Sequence, residues 1–185
     1  VTKRLQDLFP VYCDKLEITE NRKTRLELLQ KAARLCEEYL KQPEQAISLY
    51  SRARELDPKN SHILRRLATL SEEQNQTMAA IEVWQTLLKT ANSPDARDNI
   101  VLKIGNLWEK IGDKERAGSY YRSIVGSNAQ KEALASLERI YKNDPANLAL
   151  VLTEKLEKAQ LDNPAKAEYY GNSQSAGRSR NAGWK

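Results

Sequence analysis

A single phenylalanine, and hardly any alternation of Val, Thr and Ile, leave almost nothing from which to build a sheet. Seven glycines, six prolines and 30 % charged residues predict an all-α chain with a large wetted surface. Two cysteines are too few for a disulfide framework. Cys13 and Cys36 fall on successive helices that turn near Thr19–Asn21, which sets them about 13 Å apart along the axis at ~1.5 Å per residue. That exceeds the reach of a bridge, so two buried, reduced thiols are expected, and with them a reducing compartment. The lone histidine, His62, has no Cys or carboxylate neighbour at ligand spacing, which argues against a metal centre and a thiol protease. There is no glycine loop to cradle a phosphate, since Gly105 falls inside a helix and Gly112 at its end. The acidic pairs Glu37–Glu38 and Glu72–Glu73 are expected on exposed helix faces, where paired-carboxylate catalysis has no support. The reading is therefore of a protein without cofactor, metal or enzymatic chemistry. No apolar run approaches the length of a membrane span and no signal-peptide pattern opens the chain, so a cytoplasmic location is expected.

Charge of one sign is also missing in bulk. The net charge of +5 is spread as +2 over residues 1–41, −1 over 42–100, +2 over 101–160 and +2 over 161–185. No block is dense enough to form a nucleic-acid stripe by itself.

What the chain does have is repetition. Ala46, Tyr50 and Ala53 stand at i, i+4 and i+7; Ala80, Trp84 and Leu87 repeat that spacing 34 residues on, and Ala117, Tyr121 and Ile124 after another 37. Small, aromatic, then small or aliphatic at helical spacing is a packing unit, so these aromatics are assigned to the core. The apolar stripes and turn signals around them predict helices at 3–18, 22–41, 44–56, about 61–74, 77–90, 96–111, 114–125, 129–142 and 146–160. Pro10 is expected to kink or fray the first of these. Asn21, Asn60 or Ser61, and Thr77 are the expected N-caps, and Gly112 is the expected left-handed stop.

A helix pair recurring at about 34 residues is the signature of a helical solenoid. Leu64-Leu67-Ala68 matches Val101-Ile104-Gly105, and Trp108, Gly112-Asp113, Ala117, Tyr121 and Ile124 complete the phrase. Over about residues 22–160 the chain resembles the tetratricopeptide repeat family, with Ala33-Arg34 and Asn75 standing where that family favours Leu-Gly and Gly. The resemblance implies a right-handed superhelical solenoid of about four helix pairs over residues 1–160. The helix at 3–18 reads as the second half of a repeat whose first half would precede Val1, so a piece of a longer chain is expected. Residues 161–185 read as a low-complexity basic tail with Trp184 as its anchor.

The same resemblance implies that the first helix of each pair lines a concave groove. Its groove-facing positions are then Lys31, Arg65, Thr69, Asn99, Lys103, Asn106 and Arg139, a mixture of cations and amides suited to gripping carbonyls and carboxylates of an extended, acidic peptide. The function expected is a non-catalytic scaffold or adaptor that binds a protein partner through this groove or through the solenoid ends, where self-association is also expected. The alternative is an RNA-binding repeat module using the basic surface and Arg178, Arg180 and Lys185. Positions 31, 65, 102 and 135 carry Lys, Arg, Leu and Ala, which gives no regular base-reading code.

Overall fold

The computed structural model describes residues 2–161, and side chains within 6–155. Among the described residues the chain forms nine α-helices and no strand: α1 (Thr2–Ile18), α2 (Arg22–Leu35), α3 (Pro43–Leu56), α4 (Ser61–Glu73), α5 (Thr77–Thr90), α6 (Pro94–Ile111), α7 (Lys114–Arg122), α8 (Gln130–Ile140) and α9 (Pro145–Leu161). A π-helical turn, Cys36–Leu40, extends α2. Sequential helices pack on one another, so α2/α3, α4/α5, α6/α7 and α8/α9 are antiparallel pairs stacked into a solenoid, with α1 against the first pair. The core runs the length of the stack. Tyr50, Trp84 and Tyr121 lie within it, each at most 2 % exposed. No described helix is long and apolar enough to cross a membrane. The expected tail, including Trp184, lies outside the described residues apart from Leu161, which ends α9.

Short polar side chains start the helices. The Asn21, Asn60, Ser93 and Asp113 side chains accept from the backbone N–H three residues on, at 2.9–3.3 Å, in α2, α4, α6 and α7. Thr77 does not cap α5; it is the first helical residue, and Gln76 precedes it without a side-chain bond. Pro10 sits inside α1 and the helix runs through it.

The stops are equally regular. Lys41, Asn75 and Gly112 all have left-handed backbones, with φ of 55°, 57° and 91°. One residue later, the N–H of Gln42, Gln76 and Asp113 reaches back to the carbonyl of Cys36, Ser71 and Trp108 at 2.8–3.0 Å, closing each helix end. Each stop lies five residues before the first alanine of the repeated phrase. Going back from the stop, Glu37 lies four residues away in the first pair, whereas Glu72 and Glu109 lie three away. The π-turn takes up that extra residue, which is why the second helix is not a plain α-helix to Lys41.

Other boundaries shift for local reasons. The segment expected to be helical to residue 125 ends at Arg122, and the Ile124 and Val125 N–H groups bond three residues back as the chain tightens into turns before Gly126. Ile124 is still 5 % exposed, so its place in the packing phrase outlasts the helix. In the first repeat the small pair is Ala32–Ala33, both fully buried, and not Ala33–Arg34; Arg34 is exposed and pairs with Glu38 at 2.9 Å. Cys36 is buried and its thiol is pushed up to about 11 by burial, with Cys13 adding to it. Cys13 is half-buried, not buried as expected; both thiols are free.

Candidate partner-binding groove

Close packing of each pair sets the positions of the first-helix side chains. A Cβ on Gly105 would meet the Tyr121 ring, with Cδ1 and Cζ at 2.9 Å, so only glycine lets α6 lie this near α7. That approach brings the Tyr121 hydroxyl to the end of α6, 2.7 Å from Asn106 Oδ1 and 3.0 Å from Glu109 Oε2.

The same construction recurs at each junction. Tyr50 donates to Glu37 at 3.2 Å, Trp84 Nε1 donates to Glu72, and Tyr121 donates to Glu109. A cation from the next first helix then closes the unit. Arg66 pairs with Glu37, its Nε at 3.2 Å. Lys103 Nζ lies 5.2 Å from the centre of the Trp84 ring, on the neighbouring aromatic face. Arg139 holds both oxygens of Glu109 in a fork at 2.8 Å each. Arg66, Lys103 and Arg139 are 37 and 36 residues apart. Carboxylate, aromatic and cation thus form a latch between successive repeats.

The titration behaviour follows from these contacts. The Arg139 guanidinium, then Tyr121, hold the Glu109 carboxyl below its ordinary value against the opposing effect of burial. Burial pushes the Tyr121 hydroxyl up to about 12, with the Glu109 carboxylate adding to the shift. Tyr50 is raised too, by burial and by the charge of Glu38.

These latches sort the expected groove residues. Lys103, Asn106 and Arg139 are engaged within the protein. Arg65 is exposed and Thr69 half-buried, and neither takes part in a latch; the latching cation of α4 is its neighbour, Arg66. Arg65 and Arg66 stand 38 and 37 residues before Lys103, so spacing alone does not pick out the latching one. The expectation that Glu37 and Glu72 face solvent is also corrected. Glu37 keeps only 12 % of its side chain exposed, and both accept from a core aromatic. Lys31 is exposed beside Leu8, Tyr12, Arg34, Leu35 and Tyr39 in a hollow between α1 and α2. Asn99 lies elsewhere, in a hollow of about 210 Å³ between the starts of α6 and α8, with Asp95, Asp98, Asn128, Ala129 and Glu132. Among the described residues no group of three or more His, Cys, Asp or Glu could hold a metal ion.

A tetratricopeptide repeat family model matches residues 39–98. Solved structures match over longer spans. MamA superposes with a TM-score of 0.56 at 16 % identity, covering 84 % of this chain and 91 % of that one. The N-terminal domain of stress-induced protein-1 (STI-1) from C. elegans gives 0.55 at 14 %, covering 66 % and 98 %. BtubC (BKLC) from P. vanneervenii gives 0.53 at 14 %, covering 86 % and 75 %. No curated protein sequence matches. The family model thus covers residues 39–98, and the stack of helix pairs built around them has the fold of a tetratricopeptide-repeat solenoid. Proteins of this fold generally act as non-catalytic scaffolds for protein–protein interaction.

Proposed function

We propose that the protein is a non-catalytic interaction scaffold that holds an extended segment of a partner protein along the face formed by α2, α4, α6 and α8. The observation that carries this reading is the division of the cations on the first helices. Arg66, Lys103 and Arg139 are spent on holding the repeats in register, whereas Lys31 and Arg65 are exposed and make no ion pair among the described residues. Latches that rigidify the lining lower the ordering cost of binding, and open cations supply the contact with acidic side chains or carbonyls. A second contact surface is offered by α9, where Leu150 and Leu152 are exposed by 57 % and 44 %, and docking of another chain there would cover them.

The test is affinity capture with the parent and with the Lys31→Glu/Arg65→Glu variant, after circular dichroism has shown equal helicity. A protein retained by the parent and lost by the variant supports the groove. Equal capture by both overturns it. Nucleic-acid retention with a steep salt dependence would instead support the RNA-binding alternative.

A further inference from the structure

We propose that the hollow between the starts of α6 and α8 receives a cationic side chain, lysine or arginine, from the partner segment. Asp98 is the central observation. It is 8 % exposed, it lines the hollow, and its Oδ2 is buried with no hydrogen-bond donor. A buried carboxylate oxygen without a donor is costly, and native structures seldom leave one without a reason.

The neighbouring acids have different accounts. Asp95 lies in the first turn of α6, where the helix dipole favours a negative charge, and its Oδ1 accepts from Asn128 Nδ2 at 3.0 Å. Asp98 is one turn further in, beyond the free N–H groups of the helix start, so capping does not explain it. Glu132, on α8, adds a third carboxylate at the rim, and the Asn99 and Asn128 side chains add further polar groups. Among the described residues none of Asp95, Asp98 and Glu132 forms an ion pair across this hollow. The missing chemistry is positive charge carrying several N–H donors. An ammonium or a guanidinium brings both, on a stem long enough to enter from a backbone lying in the groove. The absence of a metal-holding cluster among the described residues favours a side chain over an ion.

The occupant rests on the scaffold reading, because the cation is taken to be the partner's. The partner segment then carries a basic residue toward α6 and α8 and acidic character toward Lys31 and Arg65. The probes are the capped tripeptides Gly-Arg-Gly and Gly-Lys-Gly, Gly-citrulline-Gly as the neutral mimic, and calcium chloride. Each is titrated into the full ¹⁵N-labelled chain while the Asn99 and Asn128 side-chain amides and the Ala129 backbone amide are followed. Saturable shifts with the arginine or lysine peptide are expected, none with citrulline, and about tenfold or more weaker binding in Asp98→Asn. Which charged peptide binds more tightly identifies the head group.

Equal response to citrulline, or no response to either charged peptide, overturns the proposal. Calcium saturating the site while the peptides do not overturns it in favour of an ion. Peptide binding that appears only when Arg178, Arg180 and Lys185 are replaced by alanine overturns it in favour of the chain's own tail. An Asp98→Asn melting temperature equal to or above the parent's separates lost binding from lost folding. This titration reads the hollow alone, so its failure leaves the Lys31/Arg65 capture experiment standing, and the reverse also holds.

Discussion

The two ends of the first helices are built in opposite ways. At their C-terminal ends, Glu37, Glu72 and Glu109 each accept from a core aromatic of the same pair, and a cation of the next pair closes the contact. Charge there is consumed in stacking the repeats. At the N-terminal ends of α6 and α8, Asp98 is buried with an oxygen unsatisfied, and exposed acids and amides surround it. Among the described residues that charge has no ion-pair partner.

The largest effect expected falls on the latch side, at its aromatic. Trp84→Ala empties a core position that is 1 % exposed and leaves Glu72 without its donor, and should cost about 3–5 kcal/mol in a denaturant melt. Trp108→Ala should cost about 3–5 kcal/mol as well, since that ring is 6 % exposed beneath the Arg116 guanidinium at 4.5 Å. A melt matching the parent would break the proposed register.

Gly105→Ala drives a methyl into the Tyr121 ring and should cost about 1–3 kcal/mol. It should also disturb the Tyr121 hydroxyl, read as a change in that tyrosine's ultraviolet titration from about 12 toward the ordinary 10. An unchanged titration would separate helix approach from the latch.

The Glu109 latch has a pH signature. Its carboxyl is held below the ordinary 4.5 in the folded protein, so the unfolded chain binds the proton first. The stabilisation is then fully present above pH 4.5 and is lost as the pH falls through the folded value. In Glu109→Gln the melting temperature should fall less steeply with acid than in the parent. Parallel curves would remove Glu109 from the ion-pair account. Tyr121, raised in the folded state, works in the opposite direction: its contribution is present below pH 10 and lost as the pH rises toward 12.

The smallest effect concerns the first stop. Lys41→Gly removes the cost of a side chain in a left-handed backbone and should stabilise the protein by about 1 kcal/mol, read as a higher melting temperature. A loss of stability would place the Lys41 side chain in a contact that the geometry does not contain.

Most of the fold was legible because it is written in local, repeated signals. The Ala46, Ala80 and Ala117 phrases fix the second helices, and Asn21, Asn60 and Gly112 mark starts and stops by chemistry that acts within a few residues. What escaped depends on one-residue insertions and on contacts across the stack. The π-turn at Cys36–Leu40 shows in the sequence only as Glu37 standing one residue too far from Lys41. The fate of Glu37 and Glu72 escaped because a lone helix places them on its polar face, and only the neighbouring helix buries them. Arg65 and Arg66 are adjacent cations, and a periodic pattern with small offsets between repeats does not choose between them. Asp98 carried no signal, since an acid near a helix start is ordinary until its partners are counted in three dimensions.

The division of the first-helix cations is tested most directly by one pair of thermal melts. Lys31→Glu/Arg65→Glu replaces exposed cations and should leave the melting temperature within about 2 °C of the parent. Arg66→Glu/Arg139→Glu places a negative charge against Glu37 and Glu109 at two separate junctions, and should lower it by roughly 5 °C or more. If the two double variants melt together, or the first falls further than the second, the latches do not hold the repeats and the account is wrong.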